Sequence, residues 1–318
     1  MRRVLVTGGA GFIGSQVTAA LLERDLEVVC LDDFNDFYDP AFKRENVAPF
    51  ASHPRWKLVE GDIRDGRLVE DTYRQLGISV TVHLAARAGV RPSIRQPLLY
   101  EEVNCLGTLN LLEAARRFGA PTFIFGSSSS VYGINSKVPF SEEDPITCPV
   151  SPYAATKRAG ELQCFTYHHL WGLKVTCLRF FTVYGPRQRP EMAIYLFAER
   201  LARGERVPRF GDGSTARDYT YIDDIVVGVL AAVDGGAEFE IVNLGGERTT
   251  TLGRLIELIA ASLGAPARVE ELPLQPGDVP ITYADAAKAW RLWGWAPRVG
   301  IEEGIDRFIA WFRQNRLR

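Results

Sequence analysis

The turn Thr7-Gly8-Gly9-Ala10-Gly11-Phe12-Ile13-Gly14 constrains this chain more than any other stretch. It follows an apolar run at 4–7 and opens a helical pattern at 11–23. Glycines at 8, 11 and 14 permit a tight turn, close backbone approach to a diphosphate, and close helix–strand packing. The start of the following helix offers free N–H groups and a positive partial charge to phosphates. A second apolar run at 27–31 leads into Asp32, 18 residues beyond Gly14. An acid there accepts hydrogen bonds from both ribose hydroxyls and repels a 2′-phosphate, and Asp33 adds to that repulsion. The pattern points to NAD over NADP. Asp62, in Gly61-Asp62-Ile63 after the third run, suits the adenine amino group and suits a simple turn equally well.

Strand-like runs at 4–7, 27–31, 56–60, 79–84, 122–125 and 174–179 alternate with helical patterns at 11–23, 67–76, 100–118 and 151–171. Such alternation predicts an α/β fold, a doubly wound parallel sheet of the Rossmann type. After Arg179 the chain becomes richer in Gly, Pro and Arg with shorter elements, so a join falls near residue 180. Residues 1–180 are expected to form the nucleotide-binding domain, with 217–245 returning to it. Residues 181–216 and 246–318 then make a smaller C-terminal substrate-binding domain. With 37 basic and 39 acidic residues, nothing suggests nucleic acid or a polybasic membrane contact. No apolar run approaches the roughly 18–20 residues of a membrane span. The N-terminus runs straight into a strand without signal-peptide anatomy. Five scattered cysteines form no CxxC pair, and a helix would point the adjacent His168 and His169 apart, so no metal is expected. The expectation is a soluble cytoplasmic protein.

The reactive groups come from two neighbouring stretches, Gly126-Ser127-Ser128-Ser129-Ser130-Val131-Tyr132-Gly133 and Ser151-Pro152-Tyr153-Ala154-Ala155-Thr156-Lys157. Tyr153 and Lys157 stand at i, i+4 and share one helix face. An ammonium beside the phenol favours phenolate, letting Tyr153 take a proton near neutral pH despite a reference pKa of about 10. A hydroxyl of the serine loop can bridge phenol and substrate.

Taken together, these residues resemble the extended short-chain dehydrogenase/reductase family, which acts on nucleotide sugars. The matching pieces run nearly end to end: TGGAGFIG, Asp32, GDIRD, His83-Leu84-Ala85-Ala86, Asn104 with Gly107-Thr108, SSSSVYG, YAATK, Arg217-Asp218-Tyr219 and Pro276-Gly277-Asp278. Within the family the finer resemblance is to UDP-glucuronate 4-epimerases, through Asn35-Asp36-Phe37-Tyr38-Asp39, Arg87-Ala88-Gly89-Val90-Arg91, Phe180–Pro186 and Arg189-Pro190-Glu191-Met192. The resemblance implies Ser128 and Tyr153 as catalytic residues, with Lys157 holding the nicotinamide ribose. It implies NAD contacts from Gly8, Gly11, Phe12, Ile13, Gly14, Asp32, Asn35, Asp62, Ile63, Ala85, Ala86 and Asn104. For the UDP-sugar it implies Arg217 and Asp278 at the diphosphate and uridine ribose, and Arg91, Ser129, Ser130, Thr182 and Arg189 nearby.

Three departures stand out. Thr182 replaces the Asn, and Gln275 the Arg, of UDP-glucose 4-epimerases, while Arg87 replaces the Gln usual in the glucuronate group. Ser129 and Ser130 occupy the places where a 4,6-dehydratase carries Asp-Glu, and Ser130 also argues against a decarboxylase. The expected activity is NAD-dependent 4-epimerisation of UDP-glucuronate. A UDP-glucose 4-epimerase and a non-catalytic NAD/UDP-sugar-binding protein are the alternatives. Apolar residues surround much of helices 100–118 and 151–171, which suggests a homodimer, and the family commonly pairs these helices.

Overall fold

The computed structural model describes residues 2–135, 137–235, 237–273 and 279–317. Its six early strands are β1 (Arg3–Thr7), β2 (Glu27–Asp32), β3 (Trp56–Glu60), β4 (Val80–His83), β5 (Thr122–Ser128) and β6 (Lys174–Phe180). With Phe239–Leu244 they form a seven-stranded parallel sheet in the order Phe239–Leu244, β6, β5, β4, β1, β2, β3. Each apolar run read as a strand in the sequence is a strand of this sheet.

Alternate residues of a strand point to opposite faces, and both faces here are buried, as a parallel sheet requires. Val4, Val6, Val28, Cys30, Val80, Val82 and Leu178 pack with helices Phe12–Glu23 and Ile222–Gly235 on one face. Leu5, Val29, Leu31, Phe123, Phe125, Val175 and Cys177 pack with helices Gly66–Leu76, Gly107–Arg117 and Pro152–Trp171 on the other. The sheet is the middle of a three-layer sandwich.

The 217–245 stretch divides between sheets. Its first strand, Ala216–Tyr221, pairs with Thr182–Tyr184 and Thr249–Thr251 in a separate three-stranded sheet. Only the following helix and Phe239–Leu244 join the large sandwich. The reason is Asp218, fully buried, whose carboxylate accepts N–H groups from Gly246 and Ala284 and so ties that strand to the C-terminal segments. Val207–Phe210 and Val269–Leu272 make a further parallel pair. Among the described residues no helix is long and apolar enough to cross a membrane.

Inside the sandwich lies a charge pair that the sequence did not announce. Arg179 on β6 donates from Nε and Nη2 to the two carboxylate oxygens of Glu161, at 2.8 and 2.9 Å. Both residues are 1% exposed. Stripping one partner from such a pair strands a buried charge and costs about 3–5 kcal/mol. Arg179→Met is expected to lower the unfolding free energy by about that amount in urea melts. Adding Glu161→Leu should recover part of the loss, and an unchanged midpoint for the single variant would contradict the pair's role.

Candidate active site

The strand order reverses between β1 and β4, because the chain lays β2 and β3 on one side of β1 and then crosses to the other. At such a switch point the loops leaving adjacent strands diverge, and a crevice opens at the carboxyl ends. Here the crevice is a cavity of about 440 Å³.

The first turn can run along this crevice only with glycines. Gly8 has φ of 65°, and a Cβ there would meet the Ala85 backbone N at 2.8 Å. A Cβ on Gly14 would meet the Gly8 carbonyl oxygen at 2.1 Å. The floor beneath is a neutral network. Thr7 Oγ1 lies 2.7 Å from His83 Nδ1 and accepts the Ala85 N–H, while His83 Nε2 lies 2.9 Å from Thr108 Oγ1. Burial and the nearby Lys157 charge push the imidazole down to about 3, so it stays uncharged.

At the nucleotide end, Gly8, Gly11, Phe12, Ile13, Gly14, Asp32, Asn35, Asp62, Ile63, Ala85 and Ala86 all line the cavity. Asp32 accepts the N–H groups of Ala10 and Phe34, one on each oxygen, at 3.0 Å, leaving a lone pair on each for a ribose. Burial pushes its carboxyl up, opposed by Lys43 and those two N–H groups. Lys43, which the motif reading passed over, donates to Asn35 O at 2.9 Å and lines the same end. Asp62 takes three hydrogen bonds from Arg64. Burial opposes its ionisation, but the Arg64 bonds and charge outweigh that and hold the carboxyl below its usual range.

Asn104 is placed differently from the expectation. It does not line the cavity, because its amide is spent on protein partners: it accepts the Arg87 N–H and donates to Arg87 O and Thr156 Oγ1. It thereby clamps the β4 loop onto helix Pro152–Trp171.

At the other end, Ser128, Ser129, Ser130, Tyr153, Lys157, Thr182 and Arg189 converge on the same cavity. Helix Pro152–Trp171 starts where Ser151 caps the Ala154 N–H and Pro152 takes the first turn, which brings Tyr153 to the cavity edge. The ammonium of Lys157 donates to Gly126 O at 2.7 Å, and burial lowers it to about 8. Burial likewise pushes the Tyr153 phenol up; what opposes this is a hydrogen bond with Ser128 and the charge of Arg189. Arg189, 36 residues away in sequence, thus supplies a positive charge that opposes the effect of burial on the phenol. Arg87 and Arg189 both stack against Phe37, with guanidinium carbons 5.8 and 5.6 Å from the ring centre.

Arg91 and Arg217 lie outside the cavity. Arg91 stacks over Phe210 at 4.8 Å, and Arg217 donates to its own neighbour's carbonyl, Ala216 O. Gln275 and Asp278 lie outside the described residues.

Residues 4–245 match the NAD dependent epimerase/dehydratase family. The chain belongs to that family. It is 41% identical to the UDP-glucuronate 4-epimerase of Thermodesulfobacterium geofontis, across 98% of this chain and 96% of that one. Among solved structures it is similar to Bacillus cereus UDP-glucuronic acid 4-epimerase in complex with UDP-glucuronic acid and NAD. That match has a TM-score of 0.92 and 34% identity, over 98% of this chain and 99% of the other. The Thermus thermophilus UDP-glucose 4-epimerase complex with NAD matches with a TM-score of 0.90 and 36% identity, over 98% and 99%. NAD is the cofactor of this epimerase/dehydratase chain, and the glycine cradle with Asp32 fits it. Gly8→Ala adds a Cβ against the Ala85 backbone and forces a left-handed residue, which costs about 1–2 kcal/mol. The variant is expected to fold yet release at least about tenfold less NAD on denaturation, read by chromatography of the supernatant. Full NAD content would contradict the cradle.

Proposed function

We propose that this chain is a UDP-glucuronate 4-epimerase that interconverts UDP-glucuronate and UDP-galacturonate through a 4-keto sugar without loss of carbon dioxide. The observation that carries this reading is the set of groups around Tyr153: hydroxyls of Ser128, Ser129, Ser130 and Thr182, and the guanidinium of Arg189. Among the described residues, the carboxylates lining the cavity are Asp32, Asp33 and Asp62, at or just beyond the ends of β2 and β3 on the nucleotide side. The similarity to named UDP-glucuronate 4-epimerases supports the same sugar.

Tyr153 removes the proton of the sugar's 4-hydroxyl and later returns one to the same oxygen. Ser128, hydrogen-bonded to the phenol, carries that proton's path and steadies the charge. When bound, NAD supplies the acceptor that takes hydride from C4 and gives it back to the opposite face. Lys157 holds β5 through Gly126 O, and its ammonium would hold the nicotinamide ribose when NAD is bound. The 4-keto uronate is a β-keto acid, and it loses carbon dioxide most readily with its carboxylate perpendicular to the ring carbonyl and poorly solvated. Short donors from Ser129, Ser130 and Thr182, with a charge-assisted bond from Arg189, hold that carboxylate in plane. Neither serine can remove a C5 proton as a dehydratase must.

We also propose a homodimer, supported by exposed Leu106, Leu109, Leu162, Phe165, Leu170 and Trp171 on the two long helices. Five free cysteines support a reducing, cytoplasmic setting. We assign 1–180, with 222–245, to NAD and 181–221 with 246–318 to the UDP-sugar. Arg217 and Asp278 of the second part, with Arg91 from the first, serve the nucleotide of the substrate.

Product analysis by NMR tests the reading. Incubation with UDP-glucuronate is expected to give UDP-galacturonate with little UDP-pentose. A wild type that turns over UDP-glucose far better, or releases mainly UDP-xylose or the 4-keto pentose, would overturn it. Tyr153→Phe should keep its NAD while turnover falls by about 10²–10⁴-fold. Thr182→Ala should raise the pentose fraction, since one in-plane donor is gone.

A further inference from the structure

We infer that Glu191 is the resident counter-ion of Arg189, that the carboxylate of the sugar takes its place on binding, and that Glu191 thereby restrains the preference for acidic over neutral sugars. This rests on the reading of the cavity as a UDP-glucuronate site.

The geometry begins with the backbone. Arg187 adopts φ of 67°, a left-handed conformation that a residue with a side chain takes only where its surroundings impose it. The chain turns there, sending Gln188 into the interior and Arg189 to the cavity wall. The Met192 N–H then donates to Arg189 O at 3.2 Å, closing a second turn with Pro190 at its second position. That turn folds Glu191 back onto Arg189, with Oε1 3.3 Å from Nη1. The two side chains are unequally exposed, 21% for Arg189 and 41% for Glu191. Arg189 lines the cavity and Glu191 does not, so the acid meets the guanidinium from outside the cavity lining.

Phe37 limits what Arg189 can do. The guanidinium packs near its ring, with its carbon 5.6 Å from the ring centre, and meets ligands through the N–H groups along its edge. Glu191 already engages one of them. A sugar carboxylate arriving at that edge displaces Glu191 or shares the guanidinium with a like charge. An ion pair this exposed is worth little, so exchange of one carboxylate for another is nearly balanced. A neutral sugar leaves the Arg189–Glu191 pair intact and strands no charge. Glu191 therefore weakens binding of an acidic sugar and removes the penalty on a neutral one.

The test uses the NAD-loaded full chain with UDP-glucuronate and UDP-glucose as probes. Glu191→Gln is expected to lower KM and Kd for UDP-glucuronate about two- to fivefold, the range an exposed ion pair commands, with kcat changing less than KM. UDP-glucose binding should stay level or weaken. A gain confined to the acidic sugar is something general structural damage would not produce. Arg189→Ala in the Glu191→Gln background should abolish the gain, and Glu191→Asp should restore wild-type KM. An unchanged or raised KM for UDP-glucuronate in Glu191→Gln overturns the inference. If wild type converts UDP-glucuronate and that result follows, the counter-ion idea alone fails. If wild type does not convert it at all, the proposed function fails with it.

Discussion

Everything at the reaction end depends on one buried carboxylate. Glu161 accepts hydrogen bonds from Ser127, Arg158 and, twice, Arg179. Removing two charges from water costs several kcal/mol per ion, so the pair persists only because each lone pair finds a donor. The bonds join three elements: Ser127 on β5, Glu161 on helix Pro152–Trp171, and Arg179 on β6. Arg179 continues to the Tyr132 hydroxyl at 3.0 Å, and Tyr132 to Asn243 at 2.6 Å, which carries the network across to the outermost strand.

The helix face explains why this matters for chemistry. Tyr153, Lys157 and Glu161 follow each other at i, i+4 and i+8, so they form one row along the helix. Anchoring Glu161 sets the rotation of the helix about its axis. Lys157, one turn earlier, then meets Gly126 O, and Tyr153, a further turn earlier, meets Ser128 and the cavity. A row with its far end fixed delivers a phenol at a defined depth, which proton transfer over hydrogen-bond distance requires.

The cavity is also polar along its length in an ordered way. Acids collect where β2 and β3 end, around Asp32 and Asp62, and suit ribose hydroxyls and an adenine amino group. Hydroxyls and Arg189 collect around Tyr153. Phe37 lines the cavity too, with the guanidiniums of both Arg87 and Arg189 packed near its ring. Lys43 tempers the Asp32 carboxylate by charge, and burial in turn lowers the Lys43 ammonium.

Local rules made much of this legible from the sequence alone. Glycine spacing at a strand–helix junction, an acid at the end of the second strand, and a Tyr–Lys pair at helical spacing are short-range patterns. The backbone geometry they require lies within a few residues, and the doubly wound sheet follows from alternation of strand and helix. What only the tertiary structure decided involves partners remote in the chain. Lys157 turns to Gly126 O, 31 residues back, because a buried ammonium must find an acceptor and the carbonyl is the one within reach. Asn104 is drawn to Arg87 and Thr156, so both its N–H donors and one lone pair of its oxygen are engaged within the protein. The strand Ala216–Tyr221 leaves the large sheet because Asp218 is satisfied by Gly246 and Ala284. Arg189 reaches the cavity that Tyr153 lines by a turn with no strong local signature, and Glu161 meets Arg179 across two elements. In each case the deciding force is the need of a buried polar group for a partner, and sequence separation carries no information about which partner lies near.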